Sequence, residues 1–153
     1  MVTIFWSVFG FHVVDILPKG VSFDTDYFRD NILAKLVEKK EEYCHDIESR
    51  KVYLHCDNCR VHRSFGTTVY CSKNGFDRVP HPTYSPDLAP SDFFLFGYTK
   101  DKLQGKDIAD EKELEVEIRN IVEMIPKKLL TAVFNEWIER CRAIITNGGS
   151  YVD

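Results

Sequence analysis

Residues 51–62 read KVYLHCDNCRVH, and the first seven of them predict a β-strand that presents a carboxylate at its end. Apolar and polar side chains alternate along KVYLHCD, which is the period of a strand with two different faces. One face carries Val52, Leu54 and Cys56, and the other carries Tyr53, His55 and Asp57. Asn58 is a turn former, so we expect the strand to end at or near Asp57.

The segments on both sides of this strand alternate between strand and helix patterns. Upstream, MVTIFWSVF (1–9) and GFHVVDIL (10–17) predict two strands joined by a tight turn, and a helix follows from Ser22. Downstream, FDRVPH (76–81) predicts one more short strand, and three amphipathic helices follow it. This order predicts one α/β domain over residues 1–153, with a mixed sheet flanked by helices.

The composition excludes several classes of protein. With 44% hydrophobic and 29% charged residues the chain is an ordinary globular one, and no apolar run approaches the roughly 20 residues that span a bilayer. The net charge of −4 leaves no overall electrostatic footprint for nucleic acid, so any DNA contact has to come from local basic groups. Five cysteines form an odd set without the spacing of a secreted scaffold, which favours an intracellular protein with reduced thiols.

Two aspartates stand where ligand sites gather in α/β proteins. Asp57 follows a strand, and Asp92 stands at the end of PTYSPDLAPSD (82–92), where Ser91 or Asp92 is placed to cap the next helix. Carboxylates presented beyond the carboxyl ends of strands can share a hard cation such as Mg²⁺. The alternative is that Asp57 only closes a turn and Asp92 only caps the helix.

Longer motifs around both aspartates resemble those of a known family. YSPDLAPSDFFLF (84–96) resembles the mariner-family transposase signature, in which the last of three catalytic aspartates follows a Ser-Pro-Asp-Leu-Ala-Pro-Ser run. DNCRVH (57–62) is similar to the segment that carries the second catalytic aspartate of that family. The 34 residues between Asp57 and Asp92 match the mariner spacing, and LQGK (103–106) extends the resemblance.

The resemblance implies a fold, an activity and a set of site residues. The implied fold is ribonuclease-H-like, and the implied activity is DNA strand cleavage and strand transfer with two Mg²⁺ or Mn²⁺ ions. Asp57 and Asp92 are implied as catalytic residues and metal ligands. The neighbours that match the family motif are Asn58, Arg60 and His62, which either orient ligands and contact DNA or serve only in turns and packing.

The resemblance also implies partners and a location. The partners are the transposon ends and the target DNA, the working form is a homodimer, and no membrane is involved. Such a protein acts inside the cell, in the nucleus of a eukaryote or in the cytoplasm and nucleoid of a bacterium.

One part of the family's site has no match in this chain. The first catalytic aspartate of the family lies on the central strand of the sheet, ahead of the strand that MVTIFWSVF (1–9) resembles. We therefore expect a truncated catalytic domain that lacks this first strand and the N-terminal helix-turn-helix DNA-binding domains. Asp15 lies on what resembles a non-catalytic strand and is not expected to replace the aspartate. With two of three carboxylates, the chain alone is expected to be inactive.

Two other interpretations are open on the sequence. A non-catalytic remnant, or a co-opted interaction and dimerisation module, would also fit the absence of the first carboxylate. Cys56, Cys59 and His62 could form a small zinc site, although the family has alanine at the position of Cys59, which favours small packed side chains. The aromatic residues expected in the core near this site are Tyr84, Phe93, Phe94 and Phe96.

Overall fold

The computed structural model describes residues 1–43 and 52–149, which fold into helices around four short strands. The strands are β1 (Val2–Ser7), β2 (Gly10–Ile16), β3 (Val52–His55) and β4 (Phe76–Val79). β1 pairs antiparallel with β2, and β3 pairs parallel with β4. Within this described part of the chain no hydrogen-bonded ladder joins the two pairs, so the sheet is split into two halves.

The helices of the described residues lie between and after these strands. They are α1 (Thr25–Tyr27), α2 (Ala34–Tyr43), α3 (Arg60–Arg63), α4 (Phe65–Lys73), α5 (Phe96–Leu103), α6 (Glu111–Glu123) and α7 (Lys127–Thr146). The backbone widens to a π-helical turn at Phe28–Leu33, between α1 and α2, and again at Ser91–Leu95, just before α5. None of the described helices is both long and apolar enough to cross a membrane.

β2 separates two hydrophobic cores, because successive side chains of a strand point to opposite faces. Val13 belongs to the first core and Val14 to the second. The first core contains Val13, Phe28, Ile32, Leu33, Leu36, Leu54, Cys71 and Phe76. The second core contains Ile4, Val14, Leu95, Ile118, Val122, Ile125 and Leu130. Helices therefore cover both faces of the strands, and the predicted α/β fold class is confirmed.

Aromatic side chains connect the two halves of the sheet. The Trp6 ring on β1 lies 5.1 Å from the Phe134 ring on α7, and Trp6 Nε1 donates a hydrogen bond to Ser91 Oγ at 3.1 Å. The Phe134 ring lies 5.9 Å from the Trp137 ring, which lies 4.7 Å from the imidazole of His55 at the end of β3. α7 therefore bridges β1 and β3 through packed rings.

The helix that carries Asp92 begins differently from the prediction. Pro90 stands at its N-cap position, and no side chain caps the first turn, so the expected cap at Ser91 or Asp92 is wrong. The hydroxyl of Ser91 accepts a hydrogen bond from Trp6 instead. The Ser91 hydroxyl oxygen, which was expected to cap the helix, therefore serves in a contact with β1.

Asp15 ties β2 to the helical segment that follows it. Its buried carboxylate accepts hydrogen bonds from the Tyr27 hydroxyl at 2.9 Å and from Lys35 Nζ at 3.1 Å. Burial, and then the hydrogen bond to Asp15, raise the pKa of Tyr27 to about 12, so the hydroxyl stays a donor at neutral pH. These contacts give Asp15 a role in holding the fold.

Replacing Asp15 with alanine is expected to lower the free energy of unfolding by about 1–3 kcal/mol. The change leaves the partly buried Tyr27 hydroxyl without its acceptor and removes the partner of Lys35. Urea denaturation followed by circular dichroism measures the effect. Asp107→Ala, at an exposed position, is the matched control and should change the free energy by less than about 0.5 kcal/mol. An Asp15→Ala protein as stable as this control would contradict the assignment.

Candidate metal centre

Asp57 is presented by the turn between β3 and α3. β3 ends at His55, within two residues of the predicted end, and the Asp57 side chain that follows is 62% exposed. Its Oδ1 accepts a hydrogen bond from the backbone N–H of Cys59 at 3.0 Å and lies 2.6 Å from Nδ1 of His62 on α3. The turn therefore fixes the direction of the carboxylate.

The surroundings of Asp57 keep its carboxylate ionised. Partial burial raises the pKa of Asp57, but the N–H of Cys59 and the charge and hydrogen bond of His62 outweigh burial. The pKa of Asp57 is therefore lowered, and the group is negatively charged at neutral pH. A charged, exposed carboxylate is the kind of ligand that a hard divalent cation prefers.

Asp92 lies exposed in the π-helical turn Ser91–Leu95. Its backbone N–H donates to the carbonyl oxygen of Ala89 at 2.8 Å, which fixes the start of the turn. Partial burial, and then the negative charge of Asp57, raise the pKa of Asp92, while His81 opposes the shift. The pKa of Asp92 therefore responds to the charge of Asp57, and a divalent cation bound by both groups would relieve their repulsion.

His81 is a site residue that the sequence reasoning missed. The parallel register of β3 and β4 pairs His55 with Val79. Asp57 and His81 each lie two residues beyond this pair, at the same edge of the strands. His55 Nε2 lies 3.1 Å from His81 Nδ1, and the side-chain amide of Asn58 donates to the His81 carbonyl oxygen at 2.8 Å. The matching ends of two parallel strands are the signal that could have found His81.

A cleft of about 430 Å³ opens beside these residues. Its basic side chains are Arg63 on α3 and Arg78 on β4, neither of which the sequence reasoning singled out. Asn58 and His81 line the same cleft, whereas Arg60 lies exposed at the start of α3 and is not part of its wall. Within an acidic chain, this cleft therefore brings two arginines together with Asn58, the residue after Asp57.

The cysteines of HCDNCRVH do not come together as a Cys-x-x-Cys knuckle. Cys56 lines the cleft, and burial raises the pKa of its thiol to about 12. Cys59 lies instead with Asp57 and His62, and the ligand atoms of these three side chains all lie within 4.8 Å of one another. In residues 1–43 and 52–149 no other group of three such side chains lies this close.

Two aromatic residues that were expected in the core are exposed. Tyr84 is 98% exposed, and its φ of 56° lies in the left-handed region that residues other than glycine rarely adopt. The chain turns at Tyr84 just before the 3₁₀ turn Pro86–Leu88, so the ring leaves the core. Phe96 is 42% exposed, whereas the ring of Phe94 packs 6.1 Å from that of Trp6.

Comparison with known proteins identifies two relatives in sequence. No protein-family model matches the chain. It is 29% identical over 155 residues to the histone-lysine N-methyltransferase SETMAR of Homo sapiens. This alignment covers 100% of this chain and 22% of that protein. It is 30% identical over 99 residues to the mariner Mos1 transposase of Drosophila mauritiana. This alignment covers 63% of this chain and 28% of that transposase. The chain thus spans about a quarter of the length of these relatives.

Solved structures share the fold of the chain. The Mos1 transposase catalytic domain with Raltegravir and Mn matches with a TM-score of 0.83 at 17% identity, over 99% of this chain and 76% of that chain. The Mos1 transposase paired-end complex with left transposon end matches with a TM-score of 0.87 at 17% identity, over 98% of this chain and 44% of that chain. At this level of identity the likeness establishes the fold.

The fold defines the class of protein: the chain is an α/β domain of the ribonuclease-H-like type, similar to the Mos1 catalytic domain. Within that class, the likeness in sequence is to the mariner transposases, so the resemblance drawn from the two aspartate motifs is confirmed. The chain is similar to a fragment of a mariner transposase.

Acidification is expected to destabilise the chain through His55 as the pH falls from 6.5 to about 4. Burial, and then the charge of His81, lower the pKa of His55 from 6.5 to about 4, while Asp57 opposes the shift. The unfolded chain therefore binds this proton first, and stability present above pH 6.5 is lost as the pH falls through this window. Urea midpoints measured across the window should depend less on pH in His55→Gln than in the unchanged chain. An equal dependence in both proteins would show that His55 does not titrate in this way.

Proposed function

We propose that the chain contributes a metal-dependent site for DNA strand cleavage and strand transfer, with Asp57 and Asp92 as catalytic residues and metal ligands. The observation that carries the proposal is the placement of two exposed carboxylates, Asp57 in the turn after β3 and Asp92 in the π-helical turn before α5. Burial, and then the charge of Asp57, raise the pKa of Asp92, which agrees with this placement. The likeness in sequence to the Mos1 transposase supports the same function.

Mg²⁺ or Mn²⁺ is the cofactor that fits these donors. Both aspartates are exposed and offer carboxylate oxygens, which hard divalent cations prefer. The Mos1 catalytic domain has a solved structure with Mn, which agrees with this choice. When bound, such a cation activates a water or hydroxyl and stabilises the leaving oxygen of the phosphodiester. The chain itself keeps the Asp57 carboxylate ionised and fixes its direction, through hydrogen bonds from the backbone N–H of Cys59 and from His62.

The cleft beside the aspartates is suited to the phosphates of a DNA strand. Arg63 and Arg78 supply positive charge, and Asn58 and His81 add polar groups to the same cleft. Arginine is a favoured ligand of phosphate because its planar guanidinium donates two parallel hydrogen bonds. A solved Mos1 complex contains a transposon end, which supports DNA as the partner of this surface.

We infer from the sequence that the pair lacks the third carboxylate of the family's site. No group of three candidate metal ligands in the described residues contains both Asp57 and Asp92. A two-metal site needs ligands that hold both ions, so we infer that this chain binds metal weakly and does not transpose DNA by itself. The alternative is a non-catalytic remnant or interaction module, which requires no metal binding by the two aspartates.

Mn²⁺ is expected to broaden the NMR signals of residues around Asp57 and Asp92. Loss of a group that only orients a metal ligand weakens binding about 10–100-fold, so removing a ligand itself should cost at least as much. Asp57→Asn and Asp92→Asn should each show this loss in a Mn²⁺ titration. Asp101→Asn, at an exposed position on α5, is the matched control and should bind as the unchanged chain does.

Two outcomes would change this view. Mn²⁺ binding that is the same in both aspartate variants and in the control would favour the non-catalytic remnant. Robust Mg²⁺-dependent nicking of transposon-end DNA by the chain alone, abolished by Asp92→Ala, would support the site and contradict the inferred inactivity.

Arg63→Ala and Arg78→Ala are each expected to weaken binding to DNA to a similar extent for different sequences. Each variant removes one contact to a phosphate, so the slope of log affinity against log salt concentration should become shallower by about 1. Fluorescence anisotropy with a labelled duplex at several salt concentrations measures the slope. Arg142→Ala on the exposed face of α7 is the control. A slope that is the same in all three variants would show that the cleft does not hold phosphate.

A further inference from the structure

Three side chains of different chemistry meet at the turn from β3 into α3. Asp57 offers a carboxylate oxygen, Cys59 a sulfur and His62 an imidazole nitrogen, and these atoms all lie within 4.8 Å of one another. The spacing Asp-x-Cys-x-x-His places the three on six consecutive positions of the chain. A single cation can therefore be reached by all three side chains after small rotations.

The three side chains are held in place by the turn and by the first core. Oδ1 of Asp57 accepts the N–H of Cys59 at 3.0 Å and lies 2.6 Å from Nδ1 of His62. The ring of His62 packs 4.7 Å from that of Phe28, which is 1% exposed, and 6.0 Å from that of Phe23. Since the imidazole is anchored, little side-chain ordering is needed when a cation binds.

The donor set decides which metal the three side chains suit. Mg²⁺ prefers oxygen ligands and binds thiolates poorly. Zn²⁺ accepts sulfur, nitrogen and carboxylate oxygen together, and where a protein supplies three ligands water takes the fourth position. Mg²⁺ would therefore use Asp57 with Asp92, whereas Zn²⁺ would use Asp57 with Cys59 and His62.

We propose that Asp57, Cys59 and His62 form a zinc-binding site. The Cys59 thiol releases its proton to solvent as the bond between zinc and sulfur forms. The hydrogen bond from His62 Nδ1 to Asp57 Oδ1 breaks, and the Nδ1 proton is exchanged through solvent for one on Nε2, so that Nδ1 can bind the zinc. Because Asp57 belongs to both sets of ligands, Zn²⁺ at this site and Mg²⁺ or Mn²⁺ at the aspartate pair exclude each other. This mutual exclusion rests on the proposed function, whereas zinc binding itself does not. Zinc would thus displace Mg²⁺ or Mn²⁺ from the aspartate pair.

A Co²⁺ titration of the full 153-residue chain tests the site, because a bond between cobalt and a thiolate gives a charge-transfer absorption band. The unchanged chain should show this band and lose it when Zn²⁺ is added. Cys59→Ala should abolish the band and weaken Zn²⁺ binding at least about 10-fold, by the scale known for metal sites. Cys141→Ala, which removes a thiol on α7, is the matched control and should keep both. Urea midpoints of the two variants establish that each is folded.

Asp92→Asn separates the zinc site from the aspartate pair. It should leave the Co²⁺ band and the Zn²⁺ affinity unchanged while it weakens Mn²⁺ binding. A chain without the band, or a band that survives Cys59→Ala, would overturn the zinc site and leave the aspartate pair untouched. Zn²⁺ that binds without displacing Mn²⁺ would overturn the mutual exclusion.

Discussion

The packing of α7 against both halves of the sheet is the contact on which the rest of the structure depends. In the described residues the two pairs of strands share no ladder, yet the rings of Trp6, Phe134, Trp137 and His55 form a continuous path between them. Aromatic pairs in such contact contribute about 0.5–1.5 kcal/mol each beyond the area they bury. Side chains therefore connect the two halves in place of backbone hydrogen bonds, and the rings of α7 act together with the first core, which also joins β2 to β3 and β4.

The same path holds the two segments that carry the aspartates. At one end is His55, two residues before Asp57. At the other end is Trp6, which donates its indole N–H to Ser91, the residue before Asp92. Loosening of α7 would therefore disturb both the second core, through Leu130, and the placement of the two aspartates. Stability and site geometry are coupled through one helix.

Local patterns were sufficient to predict the strands, because strand alternation is recorded in neighbouring residues, and the two aspartates were singled out by long motifs that are also local. His81 and Arg78 escaped notice because their place beside the site follows from the parallel pairing of β3 with β4, which no local pattern records. The cap expected at Ser91 failed because Trp6, 85 positions away, takes its hydroxyl. Tyr84 was expected in the core because its side chain is aromatic, whereas its left-handed backbone conformation turns the ring outward.

The π-helical turn at Ser91–Leu95 makes the direction of Asp92 depend on the number of residues around it. Each residue of an α-helix rotates the direction of the next side chain by about 100°. A π turn holds one residue more than the α-helical turn it replaces, which is why such turns are frequent at functional sites. Loss of a single residue between Asp92 and α5 would leave a helix but swing the carboxylate away from Asp57. A deletion in this stretch is therefore expected to disturb the direction of Asp92 more than the exchange of a neighbouring side chain would.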